Sequence, residues 1–345
     1  MRVPLVAVIV ASLALAACRD GGHSQAKPST SGSAAGTTGA PAVAVGADPL
    51  TGTRSPNGPV ARPALIVKID NAPKGRPQAG INSADVVVEE GVEGGVTRFA
   101  AIFQSRDAAS VGPVRSARST DIAIATPLRR PLFGYSGANA AFAELVRKAP
   151  LVDVGVGRFP TAYHREPGRP QTYNLFTSTE PLFRAAPGDV TAPPPLFGYR
   201  REGEGVAAAG SERAGRIRAQ WKGRIVTTVV YEWDPQAKTW LRTQDGTPHV
   251  DADGARVAPR NVVFQLVNYH DTGLVDRSGA QVPEAELMGE GEAWVATDGR
   301  LVKGRWSRPS ADVVTTYTDA SGALVRLTPG TTWVELVPVG NLSVL

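Results

Sequence analysis

The sequence predicts an α/β amino-terminal domain, a mixed sheet with helices, followed by a mostly antiparallel β carboxy-terminal domain. In the first half, short buried apolar runs (ALIVKID, DVVVEE, VTRFAAIF) alternate with segments that accept a helix. In the second half, short runs rich in β-branched and aromatic residues follow one another, and no long helical pattern competes with them. The 345 residues allow two ordinary domains, each with its own core.

The chain opens with MRVPLVAVIVASLALAA, one positive charge and then an apolar run too short for a comfortable membrane span. Residues 1–17 therefore read as a signal peptide. Leu15-Ala16-Ala17-Cys18 follows and resembles the bacterial lipobox, in which the cysteine is acylated and becomes the new amino terminus. Cys18 is the single cysteine of the chain, so an intrachain disulfide is excluded, and it stands at the one position a lipobox requires. The expected partner is then the membrane, held durably by two or more acyl chains on Cys18, with the protein extracytoplasmic. An ordinary signal peptide ending Ala-x-Ala is the alternative.

Residues 18–47 continue as Ser, Gly, Ala, Thr and Pro with few large apolar side chains, the composition of a tether that cannot bury a core. Such a coil measures roughly 30 Å and extends to about 100 Å.

The α/β domain is expected over residues 48–186. Ala64–Asp70 reads as a buried strand, Pro77–Ala84 as a short helix opened by proline, and Asp85–Glu90 as a second strand, together a parallel βαβ unit. Only Gly91–Gly95 separates the second strand from Val96–Phe103, so that pair is an antiparallel hairpin. Asp70, Asn71, Glu89, Glu90, Glu93, Thr97 and Arg98 are thereby drawn to one edge of the sheet, Arg98 compensating the acids.

The next element, VGPVRSAR (Val111–Arg118), combines a turn with a helix start capped by Ser116 or Ser119. Free backbone N–H groups beside Arg115 and Arg118 would form an anion site there; equally, those arginines would pair with Glu90 or Glu93 and lock the hairpin. A strand in Pro131–Gly137, a helix over Ala138–Ala149 and a strand in LVDVGVG follow. Arg158–Thr177 reads as a long surface loop in which Tyr163, His164, Arg165, Gln171 and Asn174 are available to line a pocket.

PLTG, IDNAP, RPQAGINSADVVVEE, GGVTRF, VGPVRSAR and the Tyr173-Asn174 pair resemble the YerB-type lipoprotein family, whose two domains are of unknown function. The resemblance spans about Pro49 to Pro338. It implies a lipid-anchored extracytoplasmic protein of two domains, the second mostly β, and it carries no catalytic residues. Members of that family often carry Pro-His-Asn where Gln171-Thr172-Tyr173-Asn174 stands here, which argues against a catalytic histidine at that place.

Residues 187–214, rich in Pro, Gly and Ala, read as a linker, and residues 215–345 as the antiparallel β domain, a sandwich or partly closed barrel. Its strands are expected in RIRAQW, TTVVYEW, TWLRT, NVVFQLVNY, EAWVAT, LVKGRW, VVTTYT, ALVRL and TTWVELV. His249, Asp251 and Asp253 lack further ligands at metal spacing, so no metal and no cofactor is expected.

The net charge of +5 is modest for this length, and no basic stripe interleaved with aromatics points to nucleic acid. No nucleophile elbow, P-loop, zinc motif or dinucleotide fingerprint stands in a convincing context. Two functions remain open. One is a binding or scaffolding module at the cell envelope that takes an anionic wall polymer or an envelope protein through Asp70, Asn71, Glu90, Glu93, Arg98, Arg115, Arg118, Tyr163 and Asn174. The other is an envelope hydrolase of glycan or phosphodiester bonds acting through Glu90 or Glu93 with Arg115.

Overall fold

The structure, a computed structural model, describes residues 41–201, 203–276 and 279–345; the expected signal peptide, Cys18 and most of the tether lie outside the described residues. The first half contributes β1 (Leu65–Asp70), β2 (Val86–Gly91), β3 (Thr97–Phe103), α1 (Thr120–Ala125), β4 (Leu132–Gly134), α2 (Ala140–Lys148), β5 (Val152–Asp153), β6 (Tyr163–Arg165), β7 (Leu175–Thr177) and α3 (Thr179–Arg184). Every residue of β1, β2 and β3 is buried, as apolar runs must be in a sheet covered on both faces.

The second half adds β8 (Glu212–Arg213), β9 (Arg216–Lys222), β10 (Val226–Asp234), β11 (Thr239–Gln244), β12 (Thr247–Pro248), β13 (Asn261–Val267), β14 (Tyr269–Val275), β15 (Gln281–Ala285), β16 (Gly289–Thr297), β17 (Arg300–Arg308), β18 (Thr316–Thr318), β19 (Thr332–Pro338) and β20 (Leu342–Val344). Ala323–Leu327 forms no strand and makes only the isolated bridges Thr318 to Leu324 and Tyr199 to Leu327.

One mixed sheet runs β18-β17-β16-β13-β19-β2-β3-β1-β4-β5, and an antiparallel sheet runs β12-β11-β10-β9-β20. The protein is mostly β, which corrects the α/β expectation for the first half. The βαβ unit does not form: β3 lies between β1 and β2 and is antiparallel to both. Between β1 and β2 stand two short 3-10 turns, Pro73–Gly75 and Ile81–Ser83, in place of a helix over Pro77–Ala84. The physical reason is the hairpin: five residues fold β3 straight back onto β2, and β3's other edge is then the nearest pairing partner for β1. The β2–β3 hairpin itself forms as expected.

β19, near the end of the chain, pairs in parallel with both β13 and β2, so residues 48–186 and 215–345 share one sheet. These parallel pairs stand within a second half that is otherwise antiparallel, as expected for a mostly antiparallel domain. The five-stranded sheet covers one face of the large sheet through Ile217, Trp221, Tyr231, Trp240, Phe99, Phe264 and Trp333. α1, Leu128 and Phe197 pack with Ile66, Val88, Ala100 and Val334 on the other face. Segment 187–214 is anchored rather than free, since Phe197 is buried and the Arg200 amide donates to the Leu327 carbonyl at 2.9 Å. Among the described residues no helix is long and apolar enough to cross a membrane.

Candidate functional site

Side chains opposite one another on neighbouring strands share a face, and successive residues alternate. The register sets Glu90 opposite Arg98 and Arg98 opposite Asp70, so these three share one face with Lys68. Glu89, one residue earlier, projects to the other face. The acids at the end of β2 therefore supply two separate networks.

On the first face the segment after β3 returns to the end of β1: the Asp70 amide donates to Pro113 O at 2.9 Å and the Arg115 amide to Lys68 O at 2.8 Å. This return brings VGPVRSAR to the hairpin tip. Arg118 Nε donates to Glu93 Oε1 at 2.6 Å, Arg98 Nη2 stands 3.8 Å from Glu93 Oε2, and Arg98 Nη1 donates to Ser116 O at 3.1 Å. Arg115 does not reach Glu90; its Nε donates to Asp70 Oδ2 and its guanidinium lies 5.7 Å from the Tyr173 ring centre. Beneath them, fully buried Lys68 donates to Glu90 Oε1 and, at 2.7 Å, to Asp121 Oδ1.

Four cations (Lys68, Arg98, Arg115, Arg118) thus meet four carboxyls (Asp70, Glu90, Glu93, Asp121). The balance is strained. Burial lifts Glu90 to about 7, Lys68 opposing and Asp121 adding to the rise, and Glu90 Oε2 has no hydrogen-bond partner. Burial and then the neighbouring Arg118 pull Arg98 down to about 10. Whenever Glu90 holds a proton the cluster carries an excess positive charge.

The anion site expected at a capped helix start does not form in that way. α1 has only six residues, Ser119 makes no side-chain cap, and Asp121 Oδ2 already accepts the Arg118 amide at 2.7 Å. Any affinity for anions here rests on the guanidinium groups.

On the second face, β19 sets Glu335 beside Glu89, two carboxyls facing one guanidinium. Arg242 Nη2 donates to Glu89 Oε2 at 2.6 Å, and its Nε donates to Tyr231 Oη at 3.1 Å, whose hydroxyl in turn donates to Glu335 Oε1. Arg242 Nη1 donates to His249 Nδ1 at 2.6 Å; because arginine only donates, this nitrogen is unprotonated and His249 Nε2–H donates to Gln78 Oε1 at 2.9 Å. Gln78 Nε2 then donates to Asn71 Oδ1, and Asn71 Nδ2 to Glu89 Oε1, closing the circuit at 3.0 Å for each bond. Burial first, then Glu89, holds Glu335 well above the carboxylate range, while burial and Arg242 keep His249 well below the usual imidazole value.

Of the expected site residues, Asp70, Glu90, Glu93, Arg98, Arg115 and Arg118 gather on one face. Asn71, Glu89 and Thr97, expected at the same edge, belong to the other network, because strand alternation turns them to the opposite face. Tyr163 and Asn174 are not brought to the cluster: the Tyr163 hydroxyl is turned into the core, donating to Val154 O at 2.6 Å, and Asn174 accepts from Arg165 at 2.7 Å beside the β6–β7 hairpin, which replaces part of the expected irregular loop. His164 is exposed beside Glu166. Asp251 accepts the amides of Gly80 and Asn82 at 3.1 and 3.0 Å and so stitches the two halves of the chain together. Lys68, Asp121, Arg242 and Glu335 were not anticipated. The available signal was a charge at an inward position of a strand, as Lys68 within LIVKID and Arg242 between inward Trp240 and Gln244.

Two family descriptions match the chain: "Protein of unknown function (DUF3048) N-terminal domain" over residues 50–191 and the corresponding C-terminal domain over residues 217–334. A Bacillus subtilis (strain 168) protein named "Putative lipoprotein YerB" is 26% identical over 299 residues, covering 84% of this chain and 86% of that protein. The crystal structure of the YerB protein from Bacillus subtilis superposes with a TM-score of 0.74 at 24% identity, covering 87% of this chain and 99% of that one.

Proposed function

The chain belongs to the family built from the paired DUF3048 domains, and from that premise we propose that it is a lipid-anchored extracytoplasmic binding module that recognises an anionic group at the hairpin tip. The anchor is Cys18, read from the lipobox and supported by the lipoprotein name of the Bacillus relative. Blocking lipoprotein processing with globomycin, or substituting Cys18→Ser, should move the protein from the membrane to the soluble fraction. Unchanged fractionation would remove the anchor.

The observation that carries the binding reading is the convergence of Arg98, Arg115 and Arg118, whose guanidinium groups pair with Asp70 and Glu93 while Glu90 and Asp121 are bonded to Lys68. An arginine buried among other arginines gains from an added carboxylate or phosphate, because charge-assisted bonds are strongest where water is excluded. Arg115 is the accessible member, its side chain 24% exposed and flanked by the Tyr173 ring.

Hydrolysis through Glu90 is less well supported. Its raised pKa suits a general acid, but the carboxyl is fully buried against Lys68 and no substrate reaches it without opening the sheet. Muropeptides and anionic wall polymers should raise the melting temperature of the protein. Arg115→Gln should weaken each such ligand about tenfold, the loss of one charge-assisted pair. Affinities unchanged in Arg115→Gln would defeat this assignment.

A further inference from the structure

At the opposite end of the large sheet, Asn261 lies in register with Thr297 and Thr332, and Thr332 with Val86, the first residue of β2. This row holds a second arginine that the hairpin site does not use. Arg200 is 6% exposed, and its Nη2 donates to Thr328 Oγ1. Thr297 Oγ1 gives its hydrogen to Asn261 Oδ1 at 2.7 Å, so the 3.0 Å contact between the two threonine hydroxyls has Thr328 as donor. A directed chain, Arg200 to Thr328 to Thr297 to Asn261, therefore bolts one end of the guanidinium in place. The Thr328 amide, donating to Asn261 Oδ1 at 3.1 Å, fixes the loop that carries the chain.

The rest of the guanidinium is unsatisfied: Arg200 Nε and Nη1 are buried and have no hydrogen-bond partner among the described residues. Among the described residues the carboxylate that approaches it, Asp298 Oδ2, is 4.0 Å from Nη2, beyond hydrogen-bonding reach. Leaving donors of a buried cation unpaired costs free energy, and burial accordingly pulls the pKa of Arg200 down.

Arg200 lines a cleft of about 990 Å³ that also presents Arg54, Arg201, Lys238 and Arg260. Against these five cations the described lining has two acids, Glu204 and Asp298. Glu204 Oε2 is already taken by the Arg201 amide at 2.9 Å. Counting Glu202, which neighbours Arg201 in sequence, as a third acid still leaves an excess of two positive charges. The chain enters the folded unit along the same cleft, at Ala44 and at Gly52–Arg54.

We propose that this cleft is a phosphate site, with Arg200 as its preorganised floor and Arg201, Lys238 and Arg260 as its rim. The reasoning is chemical. The floor offers a rigid, desolvated guanidinium with donors to spare, the pattern that a tetrahedral polyanion satisfies with several short bonds at once. The rim supplies a multiple positive charge that a single carboxylate leaves largely uncompensated. The site is independent of the arginine cluster at the hairpin tip, so either assignment stands or falls without the other.

Inorganic phosphate titrated into the full chain carrying Cys18→Ser tests the proposal by calorimetry. Saturable binding should weaken at least about tenfold in Arg200→Gln and several-fold in the surface double variant Arg201→Glu, Lys238→Glu, which leaves the buried row intact. Arg115→Gln should leave this component unchanged and remove only phosphate bound at the hairpin tip. Sedimentation with phosphatidylglycerol vesicles, against phosphatidylcholine vesicles, separates the two sources of the group. Charge-selective retention that is lost in the same variants assigns a lipid headgroup, and retention on neither vesicle together with phosphate binding assigns a free phosphate. Phosphate affinity within about twofold of the parent in both the floor and the rim variants, or weakened only by Arg115→Gln, overturns the site.

Discussion

Arg242→Met should cost about 3–5 kcal/mol of folding stability, because it strips two buried carboxyls of their guanidinium partner. Glu89 and Glu335 sit side by side on β2 and β19 with no exposure, and Arg242 alone among the described residues offers either of them an ion pair. Its removal also leaves Tyr231 without the Nε donor and His249 Nδ1 without a partner. Adding Glu89→Gln should restore most of the loss, since a buried pair replaced at both ends is close to neutral whereas one orphaned charge is not. Urea denaturation of the single and double variants measures both terms. A single variant within about 0.5 kcal/mol of the parent would mean that water reaches this network.

Lys68→Met should be of similar size, about 3–5 kcal/mol at neutral pH, and its cost should fall as the solution is acidified. Lys68 is the cation bonded to both Glu90 and Asp121 in a fully buried pocket. The sign follows from Glu90, whose folded pKa of about 7 lies above its ordinary 4.5. Between those values the folded protein binds more protons than the unfolded chain, so the contribution of Glu90 is full below about 4.5 and is lost as pH rises through about 7. Without Lys68 the carboxyl is still harder to ionise, and that slope steepens. Denaturation at about pH 5 and about pH 8 should therefore show a clearly larger deficit at the higher pH, and Glu90→Gln should flatten the parent profile. A deficit independent of pH would show that Lys68 acts through packing of its stem and not through charge.

Both effects arise where a strand carries a charge into the core, and that is also where the sequence was hardest to read. The β2–β3 hairpin was legible because five residues leave no other connection. Most strands of the second half were legible because alternation and turn pairs mark them, as in TWLRTQ, whose inward residues are Trp240, Arg242 and Gln244, whereas ALVRL forms no strand and β15 and β20 were not expected. Pairing between distant strands was not legible. Nothing local says that TTWVELV closes onto VVVEE, 246 residues earlier by the register of Thr332 with Val86, yet that contact merges the halves and creates the Glu89–Glu335 pair. Hydrophobic runs buried on both faces carry no mark of which neighbour they take.

The amino-acid sequence by itself carried the expectation of a leader and an acylated cysteine, and determined the β-rich second half, the hairpin and the arginine-bearing turn after it, because each depends on composition or on residues close together in the chain. Tertiary structure alone decided that Glu89 and Glu90 serve opposite faces of the sheet, that Arg115 takes Asp70 while Arg118 takes Glu93, and that Arg200 is left with unpaired donors in a basic cleft. The physical reason is that an ion pair in a protein core is chosen by strand register and by which surfaces exclude water, and both are settled by contacts between segments far apart in the chain.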